Sequence, residues 1–192
     1  MEGAGVTEPT LIAIPTIVTE RLILRCWKQS DVSPYAAMND DSETMRYLNG
    51  TMSYVATERL VTHLIGMWQL RGFGMWALES REDGSFVGRA GLYQMHEWPE
   101  PEVAWSIRRD LWGRGLATEA GSAALESGFS LGIDRIISLP APDNFASVSV
   151  AKKLGLVFDE IATIGPWKDS AVYASMGSLS RGRVAQERGM NA

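Results

Sequence analysis

The chain has 192 residues, 45% hydrophobic and 21% charged, which points to one globular domain with arms at its ends and excludes disordered, collagen-like and membrane compositions. A single cysteine, Cys26, and two histidines, His63 and His96, exclude an internal disulfide and a Cys/His zinc site, so no metal is expected. The net charge of −5 has the wrong sign for a nucleic-acid footprint, no apolar run approaches the roughly 18 residues of a membrane helix, and the acidic start MEGAGVTEPT lacks a signal peptide's positive charge; a cytoplasmic protein is expected.

Residues 1–16 read as an arm with one short apolar stretch, LIAI, and residues 178–192 as a polar, mobile tail. Between them, ERLILRCW predicts a first strand that includes Cys26. Ser30-Asp31 then caps a helix DVSPYAAM, and a second short helix, SETMRYL, follows. A longer helix starts at Thr57-Glu58, with Leu60, Val61, Leu64, Ile65 and Trp68 on one face, and ends at Gly72 and Gly74. The Trp68 stripe, with Met67 beside it, reads as core packing rather than a cofactor contact.

MWALES and FVGRAGLYQ, joined by the Asp-Gly turn of REDGS, predict an antiparallel hairpin. The loop MHEWPEP leads to a strand EVAWSI, a Gly-punctuated turn DLWGRG and an alanine-rich helix LATEAGSAALESGF. RIISL is the next strand, and Asn144 caps a helix FASVSVAKKL that stops at Gly155. Two last strands lie near LVFDEIATI and SAVYASM. This order predicts a mixed sheet flanked by helices, an α/β (α+β mixed) fold with one β-α-β crossover across residues 102–139.

The turn Leu111-Trp112-Gly113-Arg114-Gly115-Leu116-Ala117-Thr118 carries the chemistry. Glycines let the backbone turn tightly, and unpaired N–H groups at a helix start attract anions such as a pyrophosphate. Taken alone this is a weak signal, slightly better explained by backbone geometry, because many strand-to-helix turns contain glycine for that reason alone. A Rossmann fingerprint fails at Thr118, and no P-loop ending or G-x-S-x-G elbow occurs.

With its neighbours, however, this segment resembles the GNAT superfamily of acyl-CoA-dependent N-acetyltransferases, in the branch of the ribosomal-protein alanine N-acetyltransferases. The resemblance covers residues 17–177. It is carried by TERLILR, GFGMWALE, FVGRAGLY, EVAWSI, WGRGLATEA, and the run from Asn144 to Ser147 that leads to KKLG. The superfamily's loop is Gln/Arg-x-x-Gly-x-Gly/Ala; Gly115-Leu116-Ala117 fills its end, and Trp112 stands in the Gln/Arg position, itself a mark of that branch.

The resemblance implies a single-domain GNAT-like fold, a central mixed, mostly antiparallel sheet flanked by helices, over residues 17–177. It implies acetyl-CoA as co-substrate and direct transfer of an acetyl group to a primary amine, of a protein N-terminus or a small molecule. Its pyrophosphate is expected over Trp112, Gly113, Arg114, Gly115, Leu116, Ala117 and Thr118, and its pantetheine along Trp105, Ser106 and Ile107. Asn144 and Ser147 are expected to meet the cofactor as well.

Glu102 is the first choice as general base, with His96 or water as alternatives. Many members carry a tyrosine acid seven residues after the asparagine, where this chain has Ala151, so Ser147, Tyr173 or water is left to protonate the thiolate. That loss also keeps open a non-catalytic CoA-binding or regulatory module. Arg108, Arg109, Arg114, Lys152 and Lys153 are candidates for CoA phosphates, with a solvated surface as their default, and Trp98 for an acceptor pocket. The resemblance fixes neither the acceptor nor whether the chain forms a homodimer; nucleic acid and membrane are not expected partners.

Overall fold

A computed structural model describes residues 11–175. Eight strands form one sheet: β1 Ile17–Val18, β2 Leu22–Arg25, β3 Met75–Ser80, β4 Phe86–Tyr93, β5 Glu102–Ile107, β6 Ile137–Ser138, β7 Val157–Ile164 and β8 Trp167–Ala174. Four helices accompany them: α1 Val32–Asp40, α2 Tyr54–Arg71, α3 Leu116–Ser130 and α4 Phe145–Lys153. The sheet order is β1-β2-β3-β4-β5-β6-β8-β7, and every neighbouring pair is antiparallel except β5 with β6. The expected mixed, mostly antiparallel sheet is therefore present, with its crossover running from β5 through α3 to β6. Among the described residues no helix is long and apolar enough to cross a membrane. The arm before Leu11 and the tail expected at 178–192 lie outside the described residues.

Alternation along the strands divides the core. Trp76, Leu78, Ala90, Leu92, Val103 and Ile107 pack under α3, while Met75, Ala77 and Phe86 pack with Val32, Tyr35, Val61, Leu64 and Met67 of α1 and α2. Trp68 is 1% exposed and stacks edge-on against Trp76 at 4.7 Å, so the aromatic stripe of α2 is core, as its spacing predicts. Residues 11–16 also pack: Gln69 brackets the Ile12 backbone with two 2.8 Å bonds, and the Pro15 carbonyl accepts from Trp76 Nε1 at 2.7 Å.

Three local expectations are corrected. SETMRYL is a run of turns, not a helix, because Asp41 captures the chain: its carboxylate accepts from Glu43 N–H at 2.9 Å and its carbonyl from Met45 N–H at 3.0 Å. Asp31 stands at the start of α1 without capping it, since both its oxygens are held by Arg25 (2.7 and 2.8 Å) and one also by Lys28 N–H (2.8 Å). The long helix starts three residues before Thr57, capped by Ser53 through Ala56 N–H, and Thr57 is instead wholly buried against the Asn39 amide. Cys26 falls just beyond β2 and is exposed.

The strands β4 and β5 are locked in close register, Gly88 opposite Ile107 and Tyr93 opposite Glu102. At Gly88 a Cβ would lie 2.1 Å from the Ser106 carbonyl oxygen, so only glycine permits this approach. Gly88→Ala is expected to cost about 2 kcal/mol or more by forcing the strands apart; chemical denaturation measures it, and an unchanged midpoint would contradict the packing.

Candidate active site

β5 meets β6 at one position, Glu102 opposite Ile137, secured by Ile137 N–H donating to the Pro101 carbonyl at 2.9 Å. Beyond it the two strands diverge and open a cleft, with β5 and α3 on one side and β6 and α4 on the other. Arg108 N–H donates to Val87 O on β4 at 2.9 Å. Counting back in steps of two, the backbone of Ser106 faces β4, whereas that of Trp105 and Ile107 faces the cleft. Ser106 therefore brings its side chain, not its amide, to the α1/α2 face.

Trp112 closes the end of this edge: its Nε1 donates to the Ile107 carbonyl at 2.7 Å while its ring stays 47% exposed. Gly113 and Gly115 adopt left-handed backbone (φ 75° and 79°). Together they turn the chain so that no N–H from Gly113 through Thr118 donates to an acceptor among the described residues. The Glu119 N–H is the first to bond, to Gly115 O at 3.1 Å. The result is a cradle of free donors at the positive end of α3.

What fixes the cradle is a contact not predicted from the sequence. Glu119 accepts from Thr19 Oγ1, from Arg21 N–H at 2.8 Å and from Arg21 Nε at 2.7 Å, and Arg21 Nη1 donates to the Arg114 carbonyl at 2.7 Å. These bonds hold the Glu119 carboxyl below the usual carboxylate range against its partial burial. The segment TERLILR is thereby tied to WGRGLATEA, though 98 positions separate Arg21 from Glu119; only the joint presence of both segments hinted at it.

On the far side of the cleft, Asn144 caps α4, its Oδ1 accepting from Ser147 N–H at 3.1 Å. Ser147 is half-buried and makes no hydrogen bond to Glu102. Ala151 is wholly buried in the core, and Tyr173, 6% exposed, packs edge-on against Phe158. A shallow groove along α4 is lined by Phe145, Val148, Ser149, Lys152 and Lys153. Arg108 and Arg109 are paired with Asp110 and Asp41, while Arg114 is exposed and bonds only the Asp110 carbonyl.

Glu102 opens β5 on the face toward α1 and α2, with Arg89 and Tyr93 of β4 on the same face. Desolvation by burial pushes its carboxyl up from an ordinary 4.5 to about 7, against the opposing pull of Trp98, Arg89 and the Leu139 backbone. Trp98 Nε1 donates to Glu102 Oε2 at 2.9 Å. Trp98 itself is 7% exposed, packed with Ile137, Ile164 and Val172, its ring 5.5 Å from Tyr93. It thus orients the carboxylate rather than lining an open pocket. His96 is exposed, two residues away.

An open strand edge, a cradle of free amides at a helix start and one carboxyl raised to about 7 come together around the cleft. Residues 21–157 match the Acetyltransferase (GNAT) domain, and the chain belongs to that family of N-acetyltransferases. It is 30% identical over 82% of its length to the uncharacterized protein YkkB of Bacillus subtilis, of which the match spans 93%. Three further Bacillus relatives, 26–28% identical, carry the name N-acetyltransferase. An acetyltransferase from Agrobacterium tumefaciens superposes with a TM-score of 0.78 at 27% identity, over 88% of this chain and 99% of that one. The ribosomal L7/L12 α-N-protein acetyltransferase RimL, solved with coenzyme A, shares the fold at 18% identity, a TM-score of 0.70 and 83% and 96% coverage.

Glu102 carries two expectations. Its pKa in the folded chain lies above the unfolded value, so below pH 4.5 its burial costs nothing, the cost grows between 4.5 and 7, and it is fully present above about pH 7. Glu102→Gln is expected to stabilise the fold by up to ~3 kcal/mol at pH 8 and not at pH 4, read from melting curves at both; equal effects would contradict the burial of charge. Trp98→Phe removes a bond that favours the charged carboxylate, so the Glu102 pKa, followed by NMR titration, is expected to move higher. An unmoved pKa would contradict the bond's hold on the carboxylate.

Proposed function

We propose that the chain transfers the acetyl group of acetyl-CoA directly to a primary amine, of a protein N-terminus or a small molecule, with Glu102 as general base. The observation that carries this reading is the conjunction on one strand: a carboxyl tuned to about 7 at its start, an unpaired backbone edge along it, and a cradle of free N–H groups at its end.

The cradle fits a pyrophosphate: its N–H groups have no acceptor among the described residues, and at Gly113 even a Cβ would meet nothing within 4 Å. Gly113 to Thr118 would hold the pyrophosphate through amides and helix partial charge, which lets an acidic chain bind an anionic molecule without a lysine cluster. The groove along α4, lined by exposed Phe145 and by Lys152 and Lys153, suits the nucleotide end. Acetyl-CoA, when bound, supplies an activated thioester.

Trp105 and Ile107 would offer N–H groups to the pantetheine arm, one of them placed to polarise the thioester carbonyl. Above about pH 7 the Glu102 carboxylate accepts a proton from the acceptor's ammonium, directly or through one water, and leaves a neutral amine to attack. Ser147, fixed by Asn144 at the opposite wall, is the hydroxyl on that side able to return a proton to the departing thiolate.

Thiol release from acetyl-CoA with a panel of primary amines tests the reading. Turnover that rises through about pH 7 and collapses in Glu102→Gln supports it. CoA binding with no transfer to any amine would make the chain a binding module instead. Gly113→Asp, at a left-handed position that aspartate tolerates, places a carboxylate among the cradle donors; CoA affinity should fall at least about tenfold with little change in melting temperature. Unchanged affinity would relocate the pyrophosphate.

A further inference from the structure

Of the described lysines and arginines, three are not exposed: Arg25, Arg89 and Arg108. Arg25 is paired with Asp31 and Glu79, and Arg108 with Asp110. Arg89 alone has no carboxylate within ion-pair distance among the described residues, and its Nε is buried without a partner. A partly buried guanidinium left so is costly unless something of opposite charge meets it.

Its position in the sheet says where that partner would lie. Arg89 sits opposite Ser106, and four residues on, Tyr93 sits opposite Glu102, all four on the face under α1 and α2. Between them, on the same face, lie Gly91 and Ala104 opposite each other. The floor between a cation and the carboxyl is therefore built from two of the smallest side chains. Along the strand this interval is about 13 Å from Cα to Cα, four residues at about 3.3 Å each, and two long side chains reach into it from its ends.

The roof is polar at the same place. Tyr35 of α1 is wholly buried, and the Arg89 guanidinium and the Asn39 amide partly offset the effect of that burial on its phenol. His63 of α2 stands 6.0 Å from the Tyr93 ring with its Nε2 buried and unpartnered. A core face of this kind is normally closed with apolar groups; here Arg89 Nε and His63 Nε2 are buried without partners beside the small residues Gly91 and Ala104.

Resting on the reading of Glu102 as the group that receives the acceptor's proton, we infer that the acceptor is an amine that also carries a carboxylate. The amine would sit at Glu102 and the carboxylate on Arg89, spanning the interval marked by Gly91 and Ala104. Arg89 is then a specificity residue: it touches the acceptor away from the reacting nitrogen and fixes which amines are presented to Glu102. Such a carboxylate belongs either to a free amino acid or to an acidic side chain next to a peptide's N-terminus.

The experiment compares kcat/KM for matched pairs, using acetyl-CoA and the full chain. One arm takes ω-amino acids of increasing length and α-amino acids, each against its amide. The other takes short C-terminally amidated peptides with aspartate as second residue, each against its asparagine counterpart. The acid is expected to exceed its neutral partner by at least about tenfold at the length that fits, in the arm that holds the true source. Arg89→Gln brings the ratio toward one, chiefly through KM for the acid, and Arg89→Lys, which keeps the charge but not the fork, retains part of it.

A ratio near one in the unmodified protein, with neutral amines readily acetylated, overturns this inference and leaves the proposed function standing. So does a ratio that Arg89→Gln leaves unchanged. Failure to acetylate either member of any pair, with acetyl-CoA bound, overturns the proposed function and this inference with it. The ratio in the unmodified protein is read without any variant, so it decides the matter even if Arg89→Gln does not fold.

Discussion

The site depends on how little joins the two halves of the sheet. One parallel bridge, Glu102 opposite Ile137, holds β5 against β6, and past it the strands part. A continuous ladder would satisfy the backbone of Trp105 and Ile107 and leave no edge for a ligand; a missing bridge would let the halves drift. With a single bridge the edge is open yet placed, and the carboxyl proposed as the base sits on the bridging residue itself. The indole of Trp98 reaches from the loop before β5 to that carboxyl while packing on β6 and β8 residues. The proposed base and the single bridge across the cleft are thereby the same residue.

In the proposed site, anion binding rests on backbone rather than on side-chain charge. Most cationic groups near the loop are already engaged, Arg21 with Glu119 and the Arg114 carbonyl, Arg108 with Asp110 and Arg109 with Asp41, while Arg114 is exposed and bonds only a carbonyl among the described residues. Arg21 braces the turn, and the N–H groups of Gly113 to Thr118 are without acceptors among the described residues. Fixed dipoles on a braced loop need little reorganisation to meet a pyrophosphate, which reconciles a net charge of −5 with a strongly anionic co-substrate. The buried carboxyl carries the opposite accounting: keeping Glu102 near neutrality destabilises the fold at the pH where it is proposed to act.

Much of this was legible in the residues, and what was legible is local. Strand alternation placed EVAWSI at the residues β5 occupies, Gly113 and Gly115 marked the cradle, and Asn144 marked the cap of α4, because each signal is written in adjacent residues. What was missed is pairing between distant segments. SETMRYL has a helical composition, but Asp41 beside it offers competing hydrogen bonds. Arg21 with Glu119 and Tyr35 with Arg89 are brought together by the sheet, and a periodicity cannot say which partner an arginine finds or that one of them finds no carboxylate. Trp98 looked like a pocket wall because a loop tryptophan before a strand does not disclose that the loop folds back over it. Ser106 illustrates the finer limit: its place on the strand was clear, but whether its amide faced β4 or the cleft was decided by register.

The central claim is that the open edge of β5 and the amides of the loop receive the co-substrate. The most direct measurement is backbone amide NMR of the chain titrated with coenzyme A, with hydrogen exchange followed on the same signals. The account predicts that the amides of Gly113 to Thr118, with those of Trp105 and Ile107, shift and gain protection together, while Ser106, already turned to β4, changes little. Saturable binding that leaves Gly113 to Thr118 and Trp105 unperturbed would contradict it.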